Sequence, residues 1–290
     1  MKYKTLAIPI RRVDFSDSSQ ILSLFTRDRG RVDGIAKGAY RPGNSFQGPF
    51  DLLTLSEVVL VSRRSQSLAI LSEATQIDGF RGLRRSWQSY AAAAQVLEFL
   101  RVLEIANDPM PALFDLTVEA LLLLSHAAFA ERIDLSIVDL VSAFELRAFR
   151  LLGMSTSIES CADCRRPWRH VERPVFFSFE DVSVLCDPCR QKRRRVRGRV
   201  YAGPVVQRLN TLVASDSHSG GAPGNGGRQQ VPGVVVTERM PAHAAARFTL
   251  PPGEPTEPDL QGELQVLLGQ LREFLLERRF SMVKYLADFV

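Results

Sequence analysis

The sequence contains the segments Cys161-Ala-Asp-Cys164 and Cys186-Asp-Pro-Cys189, which together hold all of its 4 cysteines. A C-x-x-C turn places two thiolates on one side of a metal ion, and a second turn completes a tetrahedral shell with Zn–S distances of about 2.3 Å. The spacing therefore predicts one structural zinc ion in a zinc ribbon. Its ligands would be Cys161, Cys164, Cys186 and Cys189, with no open position for catalysis.

Two other uses of the cysteines fit the sequence less well than zinc binding does. A disulfide framework requires an oxidising compartment, but the chain does not open with a charged segment followed by an apolar one, as a secretory signal would. A redox dithiol normally opens a helix after a strand, and two pairs at this spacing fit a metal better. We therefore expect a cytoplasmic protein whose cysteines stay reduced and bind zinc.

The positive charge is unevenly distributed along the chain. The 290 residues carry a net charge of +5, with residues 1–75 at +4, 76–160 at −4, 161–199 at +6 and 200–290 at −1. Basic modules attract polyanions, because each neutralised phosphate releases counterions. No apolar stretch approaches the roughly 20 residues of a membrane-spanning helix, so we expect no membrane partner.

The first 75 residues read as a small β-barrel. Short runs rich in β-branched and aromatic residues alternate with turn sequences. The predicted strands cover Thr5–Ile10, Gln20–Phe25, Val32–Ala36, Leu52–Val61 and Ser67–Ala74. This number and length fit an OB-type barrel, whose open face commonly binds single-stranded nucleic acid, although an SH3-like or sandwich module has the same pattern.

Helical periodicity begins after Phe80. The predicted helices are Tyr90–Glu104, Leu113–Ala130, Ile133–Leu152 with Gly153 as its C-cap, Val205–Val213 and Leu260–Leu276, followed by a last segment Phe280–Phe289. We expect Leu121–Leu124 in the core and the Leu260–Leu276 helix docked on the bundle. Residues 215–230 are rich in Gly, Ser and Asn, which predicts a flexible loop.

Two basic clusters are candidate DNA-binding surfaces. In the barrel they are Arg27, Arg29, Arg31, Lys37 and Arg41, with Phe25, Tyr40 and Phe46 nearby. Cations that follow the phosphate backbone beside aromatics that stack on bases are typical of single-strand binding, although we expect Phe25 to be core. After the second C-x-x-C turn, seven Arg and Lys lie between Arg190 and Arg199, of which Arg193, Arg194 and Arg195 are the central candidates.

Motifs of catalysis are missing. The sequence contains no G-x-x-x-x-G-K-[ST] loop, no G-x-S-x-G elbow and no H-E-x-x-H helix. A zinc hydrolase would need an open coordination position that four thiolates do not leave. We therefore expect a binding protein and not an enzyme.

Several segments in the same order resemble the bacterial recombination mediator family RecO. They are Leu24–Gly30, Ile35–Ala39, Pro111–Leu116, Phe144–Gly153 leading to Cys161–Cys164, Phe177–Phe179, Val184–Cys186 and Phe280–Lys284. The resemblance implies a protein that binds single- and double-stranded DNA and anneals complementary strands. It further implies that, with RecR, the protein loads the RecA recombinase on DNA coated by the single-strand-binding protein SSB, whose C-terminal tail would be a partner, at the nucleoid.

The expected fold is α+β and multidomain. Residues 1–78 would form an OB-fold β-barrel, residues 79–157 and 200–290 an α-helical bundle domain, and residues 158–199 an inserted four-cysteine zinc ribbon with its basic run. Two other functions fit the same features. One is a zinc-ribbon transcription or RNA-binding factor, and the other is an adaptor whose basic runs bind an acidic protein tail.

Overall fold

The computed structural model describes residues 1–46, 48–62, 68–103, 108–127, 137–153, 158–168, 173–214 and 258–276. The chain divides into two compact units, Met1–Glu131 and Arg132–Val290. This boundary lies inside the predicted helical domain, so the first two long helices belong to the first unit and the third belongs to the second. The three-domain division remains a prediction. The predicted loop 215–230 and the last segment 280–289 lie outside the described residues.

A closed five-stranded barrel begins the first unit. Its strands are β1 (Lys2–Phe15), β2 (Ser19–Thr26), β3 (Gly30–Ala36), β4 (Leu55–Val61) and β5 (Ala69–Asp78). They follow the order β1-β2-β3-β5-β4, with β4 pairing back onto β1 and β3 parallel to β5. All five predicted strands are confirmed, and the closed barrel is OB-like, as predicted.

Alternation of side chains along the strands builds the barrel core. Leu22 and Leu24 on β2 and Val58 and Leu60 on β4 are completely buried inside it, as expected where every second residue points inward. The residue after Leu24, Phe25, points outward and is also completely buried, because its ring packs on Phe114 of a helix, 5.5 Å between centroids. Phe25 is therefore a core residue, as predicted.

Two helices complete the first unit. After a short 3₁₀ turn at Arg81–Arg84, helix α1 spans Trp87–Val102 and helix α2 spans Pro111–Ala127. The Ser86 hydroxyl accepts the backbone N–H of Ser89 and caps α1. In α2, Leu121, Leu123 and Leu124 are buried, which confirms the predicted core run.

Three helices form the body of the second unit. They are α3 (Ile137–Leu151), α5 (Gly203–Ala214) and α6 (Pro258–Leu276). Gly153 lies two residues beyond the end of α3; it has φ of 81° and donates its N–H to the Arg150 carbonyl, as a left-handed C-terminal cap does. The apolar face of α6 is buried against α3 and α5, and Arg272 reaches Glu145 at 2.5 Å with both side chains buried.

The second unit also holds a small sheet with the cysteines at one end. Strands β6 (Val175–Ser178), β7 (Ser183–Leu185) and β8 (Gly198–Tyr201) pair in the order β7-β6-β8. The short helix α4 (Asp187–Lys192) follows β7 directly. Phe179 of this module packs on Phe274 of α6, and the Tyr201 hydroxyl donates to Gln270, so α6 links the sheet to the helices.

Candidate metal centre and basic surfaces

The first cysteine turn is held by backbone pairing to the sheet. Cys161 bridges to Val184 of β7, and the N–H of Ala162 donates to the Val184 carbonyl at 3.0 Å. The turn closes through the N–H of Arg165, which donates to the Cys161 carbonyl. Arg165 has φ of 56°, so the chain reverses sharply just after Cys164.

The second cysteine turn joins a strand to a helix. Cys186 follows β7 as the N-cap of α4, and Cys189 lies inside that helix. The N–H of Cys189 donates to the Cys186 carbonyl at 3.0 Å. A strand that pairs with the first turn therefore delivers the second turn beside it.

The four sulfurs converge to a size that suits one metal ion. The Sγ atoms of Cys161, Cys164, Cys186 and Cys189 all lie within 4.8 Å of one another, and those of Cys164 and Cys186 are 3.7 Å apart. A tetrahedral shell with Zn–S bonds of about 2.3 Å puts its sulfurs about 3.8 Å apart. The donor set thus fits zinc, as the spacing predicts.

The cysteine thiols differ in pKa. Burial raises the pKa of Cys161, but backbone N–H groups of Cys186, Cys164 and Asp163 stabilise its thiolate and lower the pKa to about 6. The hydrogen bond with Cys186 raises the pKa of Cys189 to about 12, and its burial acts in the same direction. Four crowded sulfurs ionise together only if a cation balances them, which a divalent metal does.

Arg193, which directly follows the helix of the second cysteine turn, forms ion pairs with the first cysteine turn and with the sheet. Its guanidinium pairs with Asp163, inside the first C-x-x-C turn, with Nε to Oδ2 at 3.0 Å. It also pairs with Asp181 between β6 and β7, with Nη1 to Oδ2 at 2.7 Å. These two carboxylates raise the pKa of Arg193. Arg193 thus lies in an internal ion-pair network, which the charge run alone does not indicate; the Asp inside the first C-x-x-C turn is the sequence feature that could have suggested it.

Arg194 and Arg195 are placed differently. Both are exposed, and within the described part of the chain neither enters an ion pair. Other members of the run lie on aromatic rings: Arg190 is 4.6 Å from the centroid of Phe176, and Arg197 is 5.6 Å from that of Phe274. The seven cations of the run therefore fall into three groups. Arg193 is paired within the module, Lys192, Arg194 and Arg195 are exposed without an ion pair among the described residues, and the remaining arginines lie on aromatic rings.

In the barrel, Arg27 is likewise held by a carboxylate. Its Nε and Nη2 donate to the two oxygens of Asp115 on α2, at 2.8 and 2.9 Å. The bidentate pair connects the end of β2 to the helix above it and raises the pKa of Arg27. Two of the five N–H donors of the Arg27 guanidinium are thus engaged within the protein.

The other predicted barrel cations lie at opposite ends of β3. Arg29 is exposed in the β2–β3 turn, 5.0 Å from the Tyr3 ring centroid, and Arg31 is half-buried at the start of β3. Lys37 and Arg41 are exposed beyond the other end of β3. The two ends are about 20 Å apart, since β3 has 7 residues at 3.3 Å each.

Lys37 and Arg41 share their end of the barrel with an exposed aromatic. The N–H of Tyr40 donates to the Ser18 carbonyl in the β1–β2 turn. Tyr40 is 43% exposed, and its hydroxyl donates to Asp14 at 2.6 Å, which raises the pKa of the tyrosine. Phe46 is buried on Phe50. Of the three aromatics near the predicted cations, Tyr40 alone presents its ring to solvent.

No helix in the described ranges is both long and apolar enough to span a bilayer.

Comparisons with known proteins cover both units. The family model "Recombination protein O N terminal" matches residues 1–80, and "Recombination protein O C terminal" matches residues 84–212. The protein named DNA repair protein RecO of Rhodopirellula baltica is 34% identical over 64% of this chain and 66% of its own length. That of Salinibacter ruber is 30% identical over 54% and 58%, and that of Exiguobacterium sibiricum is 30% identical over 65% and 71%. The chain thus spans less than two thirds of the first two relatives.

Proposed function

The chain belongs to the RecO family of DNA repair proteins, and from this we propose that it is a non-enzymatic mediator of DNA repair and homologous recombination. It binds single- and double-stranded DNA, anneals complementary strands and, together with RecR, helps load RecA on SSB-coated DNA. Its proposed protein partners are RecR and the C-terminal tail of SSB. Its proposed location is the cytoplasm, at the nucleoid.

The exposed cations at one end of the barrel are the observation that carries DNA binding. Lys37 and Arg41 lie next to the exposed Tyr40, beside the β1–β2 turn of an OB-like barrel. No ion pair among the described residues engages either cation. Cations that contact phosphates beside a ring that stacks on bases are the usual elements of single-strand recognition.

The second unit supplies a further basic surface. Arg194 and Arg195 follow the second cysteine turn and are exposed. The proposed zinc ion acts here as a structural element, because four thiolates fill a tetrahedral shell and fix the chain on either side. A rigid module presents its arginines with less loss of conformational entropy than a free tail does.

Annealing follows from the same charges. Two complementary strands repel each other, and cations bound along one strand reduce its effective charge. Contacts with phosphates and with the faces of the bases leave the hydrogen-bonding edges of the bases free to pair. No bond is made or broken in the nucleic acid backbone, so annealing requires no catalytic site.

A strand-annealing assay with SSB-coated oligonucleotides tests the proposal. We expect the protein to accelerate annealing at low salt and the double variant K37A/R41A to lose most of the acceleration. A matched control is K2A/K4A, which also removes two barrel cations, but ones paired with Glu73 and Glu57. Equal losses in the two variants would show that net charge alone matters, and no acceleration by the native protein would overturn the proposal.

Competition with RNA separates this function from that of an RNA-binding factor. Single-stranded DNA and RNA of equal length and sequence are titrated against a labelled DNA strand. The proposal expects the DNA to compete at least as well as the RNA. A clear preference for RNA would favour the zinc-ribbon RNA-binding alternative.

A further inference from the structure

The four cysteines and the strands β6–β8 lie within residues 158–201, and we call the described part of this segment the zinc module. A cavity of about 330 Å³ lies in this module, lined by residues of the first cysteine turn, β6 and β7. Its apolar lining includes Trp168, Phe176, Leu185 and Pro188, and Cys161 and Cys186 also line it. Neither the proposed coordination of a metal by the four cysteines nor the ion pairs of Arg193 gives this cavity a role. Its size is within the range of small-ligand sites.

The rim of the cavity is basic. Arg166 and Arg173 both line it and are exposed. Within the described residues neither guanidinium enters an ion pair or donates a side-chain hydrogen bond. Arg190 lies on the ring of Phe176, 4.6 Å from its centroid. Asp187 also lines the cavity, so arginines outnumber carboxylates there.

An aromatic wall beside two unpaired guanidiniums suits a ligand with a flat apolar face and an anionic group. A nucleotide has both, since its base can stack on an indole and its phosphate can accept hydrogen bonds from two arginine guanidiniums. The net charge of +6 over residues 161–199 draws such a polyanion to this module.

We propose that this cavity binds one nucleotide of single-stranded DNA, with the base on Trp168 and the adjoining phosphate between Arg166 and Arg173. The inference rests on the proposed function and adds to it a base-binding subsite in the second unit, separate from the barrel cations. Because stacking does not depend on base identity, the subsite tolerates any sequence.

Tryptophan fluorescence tests the subsite directly. The chain has 2 tryptophans, Trp87 and Trp168, so W87F leaves Trp168 as the sole reporter. Titration with a thymidine oligonucleotide is expected to quench Trp168 to saturation. The variant W168F keeps Trp87, which is 49% exposed on α1, and its emission is expected to change little.

Affinity measurements by anisotropy of a labelled oligonucleotide complete the test. We expect W168A, and separately R166A/R173A, to weaken binding about tenfold, as the loss of one stacked base does. The control is R165A, which removes an exposed arginine that does not line the cavity. The zinc content of every variant is measured to check that its zinc module is folded. If W168A does not fold, the affinity of R166A/R173A tests the subsite.

The outcomes separate this inference from the proposed function. If anisotropy reports binding while Trp168 is not quenched, or if R165A weakens binding as much as R166A/R173A, the subsite is wrong and DNA binding stands. If no binding is detected at all, the proposed function fails. Quenching of Trp168 by a tryptophan-free acidic peptide but not by the oligonucleotide would make the cavity a protein-docking site and overturn the proposal.

Discussion

Three adjacent arginines show what a sequence pattern can and cannot predict about single residues. Arg193, Arg194 and Arg195 are equivalent in sequence, and all three were predicted to contact DNA. In the structure Arg193 is paired with Asp163 and Asp181, while its two neighbours are exposed. The difference arises from contacts with residues 12 and 30 positions away, which local charge counting does not include.

Removing the Arg193 side chain should weaken the zinc module. R193A leaves two carboxylates without their partner, and we expect the free energy of unfolding of this module to fall by roughly 1 to 2 kcal/mol, as for a small network of ion pairs. The measurement is the rate of zinc transfer to a chromogenic chelator, which should rise. R194A is the control and should leave the rate unchanged. An equal effect of both variants would contradict a stabilising role of the Arg193 ion pairs.

Arg27 provides a second residue-scale prediction. R27A should lower the free energy of unfolding by about 1 kcal/mol, because a bidentate pair is lost at a site where the arginine is 30% exposed. D115A should have a similar effect, and the double variant should add little to either one. Urea unfolding of all four proteins measures the coupling. Strictly additive losses would show that the pair contributes no interaction energy.

At the scale of elements, periodicity was the most dependable guide. All five barrel strands and the helices α1, α2, α3, α5 and α6 lie where the alternation of apolar residues predicts them, within a few residues at each end. The short strands of the zinc module have 3 or 4 residues, which is too few for a period to be recognised. Their place in the sheet is set by contacts with other parts of the module, such as the bridge between Cys161 and Val184 of β7.

Gly198 decides whether β8 pairs with β6. A Cβ at this position would lie 2.2 Å from the Phe177 carbonyl oxygen and 2.7 Å from the Phe176 ring. Because a backbone atom must move, we expect G198A to destabilise the module by about 2 kcal/mol, as overpacking does. Thermal unfolding followed by zinc release measures this.

Gly262 of α6 is the matched control for G198A. Nothing lies within 4 Å of a Cβ at that position, and alanine favours a helix interior over glycine by up to about 1 kcal/mol. G262A should therefore leave the protein as stable as before or slightly more stable. Equal destabilisation by both substitutions would mean that the close approach of β8 to β6 is not what makes Gly198 necessary.

At the scale of the whole molecule, the sequence predicted which modules are present better than it predicted which of them belong to the same compact unit. The barrel, the helices and the cysteine cluster are all present. The division at residue 131 was not predicted, because the apolar periodicity of a helix does not say which other element its apolar face contacts. Which partner each face covers is set by long-range contacts such as that of Phe25 with Phe114.

Metal removal should act on the second unit alone. The barrel has its own apolar core, whereas the sheet near the cysteines is small and relies on the four-thiolate shell. With a chelator present, hydrogen exchange should show loss of protection in peptides from residues 158–199 and full protection in β1 and β2. Metal analysis of the native protein should give one zinc per chain. Exchange that rises equally in the barrel would contradict independent stabilisation.

The salt dependence of DNA binding measures how the two basic surfaces combine. Each phosphate contact with a single strand contributes about 0.7 to the slope of log K against log salt. K37A/R41A and R194A/R195A should each reduce the slope by about 1.4, and the four changes together by about 2.8, since separate surfaces contribute additively. R193A and K2A/K4A should leave the slope unchanged, because these cations are already paired within the protein. A slope that stays constant in R194A/R195A would restrict DNA contact to the barrel and make the basic run of the zinc module a solvated surface.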